Sequence, residues 1–124
     1  MAKAFRAVQG LAEKVQSFKT GAVRSETAGK GRFDLIPPYA LKRLAQHFEN
    51  GAEKYADRNW ERGLPLSRYI DSALRHLNAF MEGDRTEDHL SAVAWNIFCY
   101  LHTEREVQEG RLPLDLMGVW PATL

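Results

Sequence analysis

Apolar side chains recur every three or four residues along most of the chain, which is the period of an amphipathic helix. A first stripe predicts a helix from Ala2 to about Lys19, through Phe5, Val8, Leu11, Ala12, Val15 and Phe18. Residues 20–33 lack this period and are rich in Gly, Ser and Thr, which is typical of a loop. Alternating apolar and polar stretches of useful length are absent, so the sequence predicts an all-α fold.

Three further helices are predicted to build the helical bundle of one compact domain. Pro37 and Pro38 mark the start of the first, because proline at the first helical position gives up only an N–H that has no partner inside the helix. Ser67 and Thr86 are placed as N-caps of the other two. The predicted bounds are 37 to about 56, 67–83 and 87 to about 109. Counting the first segment, the bundle has three to four main helices, and the tail is predicted to be irregular.

The last of these helices is apolar over almost its whole circumference between Val93 and Leu101. A helix that is apolar all round is buried all round. A chain of 124 residues with so few helices can hardly surround one of its own members. We therefore expect a homo-oligomer, a dimer or tetramer, in which a second copy completes the bundle.

Charge is distributed unevenly, although the net charge is only +1. The first 32 residues hold seven basic and two acidic side chains, which predicts a basic helix and loop arm at 1–33 before an acidic body. The overall balance gives no reason to expect nucleic-acid or membrane binding. The lone cysteine, Cys99, lies in an apolar run and is predicted to be a core residue in a reducing compartment. Signal and membrane segments are not evident, so we expect a soluble, cytoplasmic protein.

Acidic side chains repeat along the polar face of the helix at 37–56. Glu49, Glu53 and Asp57 follow at intervals of four, so their carboxylates share one face. Like charges at this spacing cost roughly 0.2–0.5 kcal/mol per pair unless something neutralises them. Mg²⁺ or Mn²⁺ would do so, because these cations take carboxylate oxygens together with phosphates. A solvated face without any ligand is the other interpretation, and the residues alone leave both open.

A second polar row follows the helix at 67–83, through Arg68, Asp71, Arg75, Asn78 and Glu82. Asp71 and Arg75 form either an ordinary ion pair one helical turn apart or part of a ligand site. In the second case Asp71 joins the metal ligands, and Arg75 binds a phosphate through its guanidinium fork. Composition does not decide between them.

Polar residues of the last core helix are ambiguous in the same way. Glu87 and Asp88 follow Thr86 at its start, where the helix dipole favours acids in any case. Asn96 lies in the apolar run, on the same face as His89, and an unpaired amide there would cost about 1–3 kcal/mol. Its partner is therefore either another helix, with His76 as a candidate, or a ligand or metal.

Several familiar motifs are missing. The four histidines have no spacing typical of a zinc site. The P-loop, the dinucleotide-binding glycine motif and the GxSxG elbow are absent as well. The loop string GKGRF places Lys30 and Arg32 among glycines, which lets backbone and cations approach a phosphate closely.

Three strings stand in a fixed order along the chain: TGAVRSETAGKGRFDLIPPYAL, GAEKYADRNWERGLPLSRYIDSALRHL and EDHLSAVAWN. Within them GKGRFDLIPP, the KY-x-x-RNW-x-x-G run and SALRHL are unusual. Over about residues 18–115 the chain resembles the phage, MazZ-like domain family described as dATP/dGTP diphosphohydrolase, N-terminal type. The resemblance implies a relation to the all-α MazG-like pyrophosphohydrolases. It also implies cleavage of a purine deoxynucleoside triphosphate, dGTP or dATP, to the monophosphate and pyrophosphate.

The resemblance also implies a set of metal ligands. MazG-like enzymes carry an ExxE pair on one helix and an ExxD pair on the next, which bind Mg²⁺ against the triphosphate. The corresponding residues here are Glu49, Glu53 and Asp71, with Asp88 as a fourth. The spacing departs from the family's pattern, because the two glutamates are four apart and Arg68 stands where an acid should precede Asp71.

Substrate contacts are implied by the KY-x-x-RNW match, where Lys54, Asn59 and Trp60 would reach base or phosphate. Trp60 is alternatively a core residue. The predicted substrate-binding residues are Lys30, Arg32, Lys54, Asn59, Trp60, Arg75 and Asn96. In the implied reaction a metal-bound water attacks the α-phosphorus, a glutamate aligns it, and cations balance the charge of the leaving pyrophosphate. The predicted catalytic residues are Glu53, Lys54, Arg75 and His76.

A function of another class stays open beside this one. The chain would then be a non-catalytic, oligomeric phage protein that binds nucleotide, nucleic acid or a host factor through its basic arm. The acidic row disfavours DNA near the body. Release of pyrophosphate from a nucleotide panel separates the two hypotheses, because a binding protein would release none.

Overall fold

The computed structural model describes residues 14–118. Two compact units divide the chain between Ile36 and Pro37. In the N-terminal unit, strands β1 (Val15–Ser17) and β2 (Val23–Ser25) pair antiparallel. A short 3-10 turn at Phe33–Leu35 follows them.

This hairpin corrects the helix predicted to end at Lys19, at least for its last residues. Gly21 adopts φ +87°, which allows the tight turn, and the Phe18 N–H donates to the Ala22 carbonyl at 3.0 Å. The β-branched Val15 and Val23 favour strands on either side of that turn, and this local preference overrides the helical spacing. Residues 2–13 of the predicted helix lie outside the described residues.

The second unit consists mainly of three helices, and they confirm the all-α class. These are α1 (Pro38–Tyr55), α2 (Leu66–Met81) and α3 (His89–Gln108). Short 3-10 turns lie at Asn59–Arg62 and Leu114–Met117. None of the helices within residues 14–118 is long and apolar enough to span a membrane.

Both predicted N-caps are wrong by two residues. Pro65 is the N-cap of α2, so Ser67 lies inside the helix. Asp88 caps α3, where its carboxylate accepts from the Ser91 N–H at 3.2 Å. The Thr86 hydroxyl instead donates to Asp84 at 2.6 Å, which holds Thr86 in the turn before the helix.

The core forms where α2 and α1 pack on α3, with α2 making the longer contact. Its buried members are Leu66, Tyr69, Cys99 and Tyr100. Cys99 is fully buried, which confirms the prediction of a core residue, and burial raises the pKa of its thiol to about 12. The Tyr69 hydroxyl donates to the Trp60 carbonyl at 3.2 Å, so the turn after α1 is tied to the core.

Part of α3 stays uncovered in the single chain. Ile97 is 38%, Phe98 53% and Leu101 50% exposed. The run from Val93 to Leu101 is therefore buried on one side rather than all round. A second copy covering the other side stays a prediction.

Candidate functional site

A cavity of about 420 Å³ opens where α1 ends and the chain turns towards α2; we call it the aromatic cavity. Four aromatic side chains lie in its wall: Phe48, Tyr55, Trp60 and Trp95. The Phe48 ring centroid lies 6.1 Å from those of both Trp60 and Trp95. These tilted and edge-on contacts build a rigid apolar wall, against which a planar ring can stack.

Charged and polar side chains line the same cavity. Glu49 belongs to α1, and Asp57, Arg58, Asn59 and Glu61 belong to the segment that follows it. Arg58 Nη1 lies 3.3 Å from Glu61 Oε1. The carboxylates and the Asn59 amide offer only oxygen ligands, and oxygen is the donor that Mg²⁺ and Mn²⁺ prefer. The types of donor atom therefore suit a hard divalent cation, although the three carboxylates do not bring their oxygens within 4.8 Å of one another.

The backbone of this segment is strained. Ala56 adopts φ 90° and ψ 158°, a region used almost only by glycine. Arg58 adopts the left-handed conformation, at φ 58° and ψ 22°. Such conformations cost about 1–3 kcal/mol each and persist only where the surrounding structure holds them. Both residues line the cavity, so the strain is concentrated at the candidate site.

Three predicted site residues meet in the aromatic cavity: Glu49, Asn59 and Trp60. Trp60 also packs against the buried core, so it combines the two roles considered for it. Glu53 and Lys54 are exposed on α1 and are not among the residues that line the cavity. The Lys54 ammonium lies 5.0 Å from the centre of the Tyr55 ring.

Asp57, Glu61 and Trp95 line the cavity although the sequence did not select them as site residues. The sequence could have pointed to Asp57, because it belongs to the same acidic row as Glu49. Nothing in the spacing of Glu61 or Trp95 separates them from surface and core residues. The fold brings them together, because the turn after α1 and the face of α3 meet there.

Two predicted metal ligands are paired with arginines. Asp71 forms an ion pair with Arg75 on the exposed side of α2. Arg43 of α1 donates through Nε and Nη2 to the Asp88 carboxylate at 3.0 and 2.6 Å, and this contact holds the pKa of Asp88 far below its ordinary value. Each acid thus has a counter-charge of its own. Their role as metal ligands stays a prediction.

A second group of polar side chains lies between the end of α2 and the start of α3; we call it the histidine cluster. Within residues 14–118, His76, Glu87 and His89 are the group whose three possible ligand atoms lie within 4.8 Å of one another. The predicted ligands Glu49, Glu53, Asp71 and Asp88 do not form such a group in the single chain. Burial lowers the pKa of His76, so its imidazole is neutral at pH 7.

Distances inside the histidine cluster are short. His76 Nδ1 lies 2.9 Å from His89 Nδ1 and 3.2 Å from Glu87 Oε1. His89 is 7% exposed, and its Nε2 lies 3.1 Å from Asp84 Oδ2 without the alignment of a hydrogen bond. Hydrogen bonds from Thr86 lower the pKa of Asp84 to about 2, so this carboxylate is ionised.

Asn96 has the partner that its burial requires. Its Nδ2 donates to the Ala92 carbonyl at 2.8 Å and to Ser72 Oγ on α2 at 3.3 Å. The partner on the neighbouring helix is therefore Ser72, whereas His76 faces His89. A contact between Asn96 and substrate stays a prediction.

Lys30 and Arg32 belong to the N-terminal unit. Arg32 donates to Asp34 through Nε and Nη2, both at 2.8 Å, so its charge is balanced by a neighbour. The Lys30 N–H donates to the Thr27 carbonyl at 3.1 Å, within the glycine-containing loop. Their contacts with substrate stay predictions.

The chain belongs to the family described as dATP/dGTP diphosphohydrolase, N-terminal, whose model matches residues 20–111. This confirms the resemblance inferred from the three sequence strings. The matched model describes the N-terminal part of such enzymes. Comparison with curated proteins and with solved structures gives no significant match to this chain.

Proposed function

We propose that the chain hydrolyses a purine deoxynucleoside triphosphate, dGTP or dATP, to the monophosphate and pyrophosphate with the help of Mg²⁺. Membership of the family supports the substrate class. The observation that carries the proposal is the composition of the aromatic cavity, where an aromatic wall and a carboxylate-rich rim occur together. A nucleotide has the same two parts, a flat apolar base and a charged phosphate chain.

The base would bind on the aromatic wall. A volume of about 420 Å³ lies within the range of about 300–1,000 Å³ that is usual for small-molecule sites. Trp60 is held by the core and by its contact with Phe48, so its ring offers a surface that needs little ordering on binding. Stacking on such rings contributes about 1–3 kcal/mol per base.

The phosphate chain would lie along the rim. Mg²⁺ is usually held by one or two carboxylates together with substrate phosphates. The oxygens of Glu49, Asp57 and Glu61 do not all lie within 4.8 Å of one another, so one or two of these residues would hold the ion with the phosphates. The bound ion would supply Lewis-acid stabilisation of phosphate charge and a water of lowered pKa. Arg58 adds a cation at the same rim. Its side chain is 79% exposed, so its guanidinium would exchange the contact with Glu61 for a phosphate.

Hydrolysis places a water oxygen on the α-phosphorus and breaks the bond from that phosphorus to the oxygen bridging to the β-phosphate. The electron pair of the broken bond leaves with pyrophosphate. A rim carboxylate accepts the proton of the attacking water, as a general base. Glu49 is the residue we propose first for the rim, because it belongs both to the family-like acidic row and to the cavity wall.

A second copy of the chain is also part of the proposal. Ile97, Phe98 and Leu101 leave an apolar face of α3 exposed, and burying such a face against another copy is favourable by roughly 25 cal/mol per Å². Light scattering of the purified chain, with a dimer or tetramer expected, tests this part independently of activity.

The hydrolysis proposal is tested by measuring pyrophosphate release from dGTP, dATP and the other nucleotides, with and without Mg²⁺. We expect Mg²⁺-dependent release from a purine deoxynucleotide. Glu49→Gln should lower kcat by about 100-fold or more, in the range of a lost general base or metal ligand. Its melting temperature should stay near that of the wild type, because Glu49 is exposed and its partner is the neighbouring Gln46 at 2.7 Å.

Glu109→Gln is the matched control, since Glu109 is an exposed acid at the end of α3 and does not line the cavity. It should keep wild-type release. No release from any nucleotide by the wild type, or full activity of Glu49→Gln, would contradict the proposal. The first result would favour a binding protein without catalysis.

A further inference from the structure

The histidine cluster lies outside the aromatic cavity, and its atoms suit a different cation. The separations among His76 Nδ1, His89 Nδ1 and Glu87 Oε1 are 2.9, 3.2 and 3.6 Å. Around a tetrahedral zinc ion, with bonds of about 2.0–2.1 Å, neighbouring ligand atoms are about 3.3 Å apart. The observed separations bracket this value, so one small ion could contact all three atoms after shifts of a few tenths of an ångström.

The surroundings of His89 also suit a cation at this centre. Its Nε2 is buried, and the nearby polar atom is the Asp84 carboxylate oxygen, which can only accept. A proton on Nε2 would face this oxygen, and Nδ1 would then present its lone pair to His76 and Glu87. Nδ1 of His76, Nδ1 of His89 and Oε1 of Glu87 can each offer a lone pair to one centre, and a metal ion placed there would contact all three atoms.

Asp84 occupies the place of a supporting carboxylate. A metal-binding imidazole commonly has a carboxylate next to its other nitrogen, which fixes the ring orientation and the tautomer. Asp84 lies 3.1 Å from His89 Nε2 and is itself held by Thr86 at 2.8 and 2.6 Å. Asp84 and Glu87 together carry two negative charges, which match the charge of a divalent ion.

The cluster is also accessible. Glu87 and His89 line an open cavity of about 490 Å³, which leaves room for a metal ion to enter and for a water as the fourth ligand. Two arginines lie in the wall of the same cavity. Arg43 is paired with Asp88. The Arg85 guanidinium donates to the Phe80 and Asp84 carbonyls, so both cations have partners of their own.

We propose that His76, Glu87 and His89 form a binding site for a divalent transition metal ion of the zinc class, with Asp84 as a positioning residue. The ion would join the last turns of α2 to the first turn of α3. Two nitrogen donors and one carboxylate favour Zn²⁺ or Co²⁺ over Mg²⁺, which prefers oxygen ligands alone. This site is separate from the Mg²⁺ proposed for the aromatic cavity and does not depend on it.

The test is calorimetric titration of the tag-free full chain with Zn²⁺, in the presence of excess Mg²⁺. We expect one Zn²⁺ per chain. His76→Gln and Glu87→Gln should each weaken binding by more than about 100-fold, and Asp84→Asn by about 10–100-fold, as for a supporting carboxylate. Co²⁺ should give the visible absorption of a four-coordinate ion in the wild type and not in His76→Gln.

His102→Gln is the matched control, because His102 is a half-exposed histidine on α3 whose nearby acid is Glu106. It should bind Zn²⁺ as the wild type does. Melting temperatures without metal separate loss of ligand from loss of fold, and the exposed Glu87 carries the test if His76→Gln does not fold. Absence of Zn²⁺ binding by the wild type, unchanged binding by Glu87→Gln, or displacement by Mg²⁺ would each overturn the proposal.

Discussion

The aromatic cavity and the histidine cluster both gather acidic side chains, but they offer a cation different atoms. The cavity presents carboxylate and amide oxygens beside aromatic rings. The cluster presents two imidazole nitrogens and a carboxylate, with a further carboxylate behind His89. Since ligand type selects among divalent metals, the two proposed sites would differ in the metal ion that they prefer.

The two regions also differ in how the chain builds them. The cavity joins the end of α1, the strained turn after it and Trp95 of α3. The cluster comes from one stretch of chain, between the last turns of α2 and the first turn of α3. Positive φ at non-glycine residues occurs, within residues 14–118, at Ala56 and Arg58, both in the cavity wall. Strain therefore marks the aromatic cavity and not the histidine cluster.

The largest expected effect is the loss of activity on removing a carboxylate from the wall of the aromatic cavity. Glu61→Gln should lower kcat for pyrophosphate release by about 100-fold or more, because its carboxylate lines the cavity. Glu53→Gln is the matched comparison, at an exposed residue outside the cavity wall. Steady-state kinetics with dGTP and Mg²⁺ measure both. A larger loss for Glu53→Gln would move the reaction to the outer face of α1, as the family-like spacing implies.

The next effect concerns the strain. Ala56→Gly should raise the free energy of unfolding by about 1 kcal/mol. Glycine removes a backbone strain that costs about 1–3 kcal/mol. It also destabilises the folded state by roughly 0.4–1 kcal/mol, because it increases the conformational entropy of the unfolded chain, and the first contribution is the larger. Urea unfolding measures the change. Zn²⁺ binding should be unaffected, because Ala56 does not belong to the histidine cluster.

Gly63→Ala is the opposite control at the other end of the same segment. Gly63 has φ +100°, and a Cβ there would lie 3.0 Å from Leu116 Cδ1 and 3.2 Å from Leu112. It should therefore lower stability. If Ala56→Gly also lowers stability, the conformation of Ala56 is not a strained one.

Much of the helical unit was predictable, since α1 matches its expected bounds almost to the residue. Periodicity reports which face of a helix is apolar, and proline marks the start. The hairpin at 15–25 was missed because three-residue strands are too short for an alternating pattern to show. The sites were harder to predict, because lining residues such as Glu61 and Trp95 are brought together by the packing of distant segments. The histidine cluster was missed because its His-x₁₂-His spacing follows from a turn and not from a helical repeat.

The smallest expected effect concerns Asp88, which lies next to the histidine cluster and was predicted as a metal ligand. Its pKa is lowered first by Arg43, so its carboxylate stabilises the fold at pH above its ordinary value near 4, and this contribution is lost as the pH falls below it. Asp88→Asn keeps an equally good N-cap. It should lose the half-exposed ion pair with Arg43, about 0.2–1 kcal/mol at pH 7, and the hydrogen bonds to the one oxygen that the amide nitrogen replaces.

Urea unfolding at pH 7 and at pH 3 checks the direction of this pH dependence. The difference in free energy of unfolding between Asp88→Asn and the wild type should be smaller at pH 3, because Asp88 of the wild type loses its stabilising charge there. An equal difference in free energy of unfolding at pH 7 and at pH 3 would assign the effect of the substitution to packing rather than to charge. Asp88→Asn also tests where the reaction takes place, because Asp88 lies outside the aromatic cavity. If this variant loses pyrophosphate release while its stability changes little, the reaction uses the start of α3 and not the aromatic cavity alone.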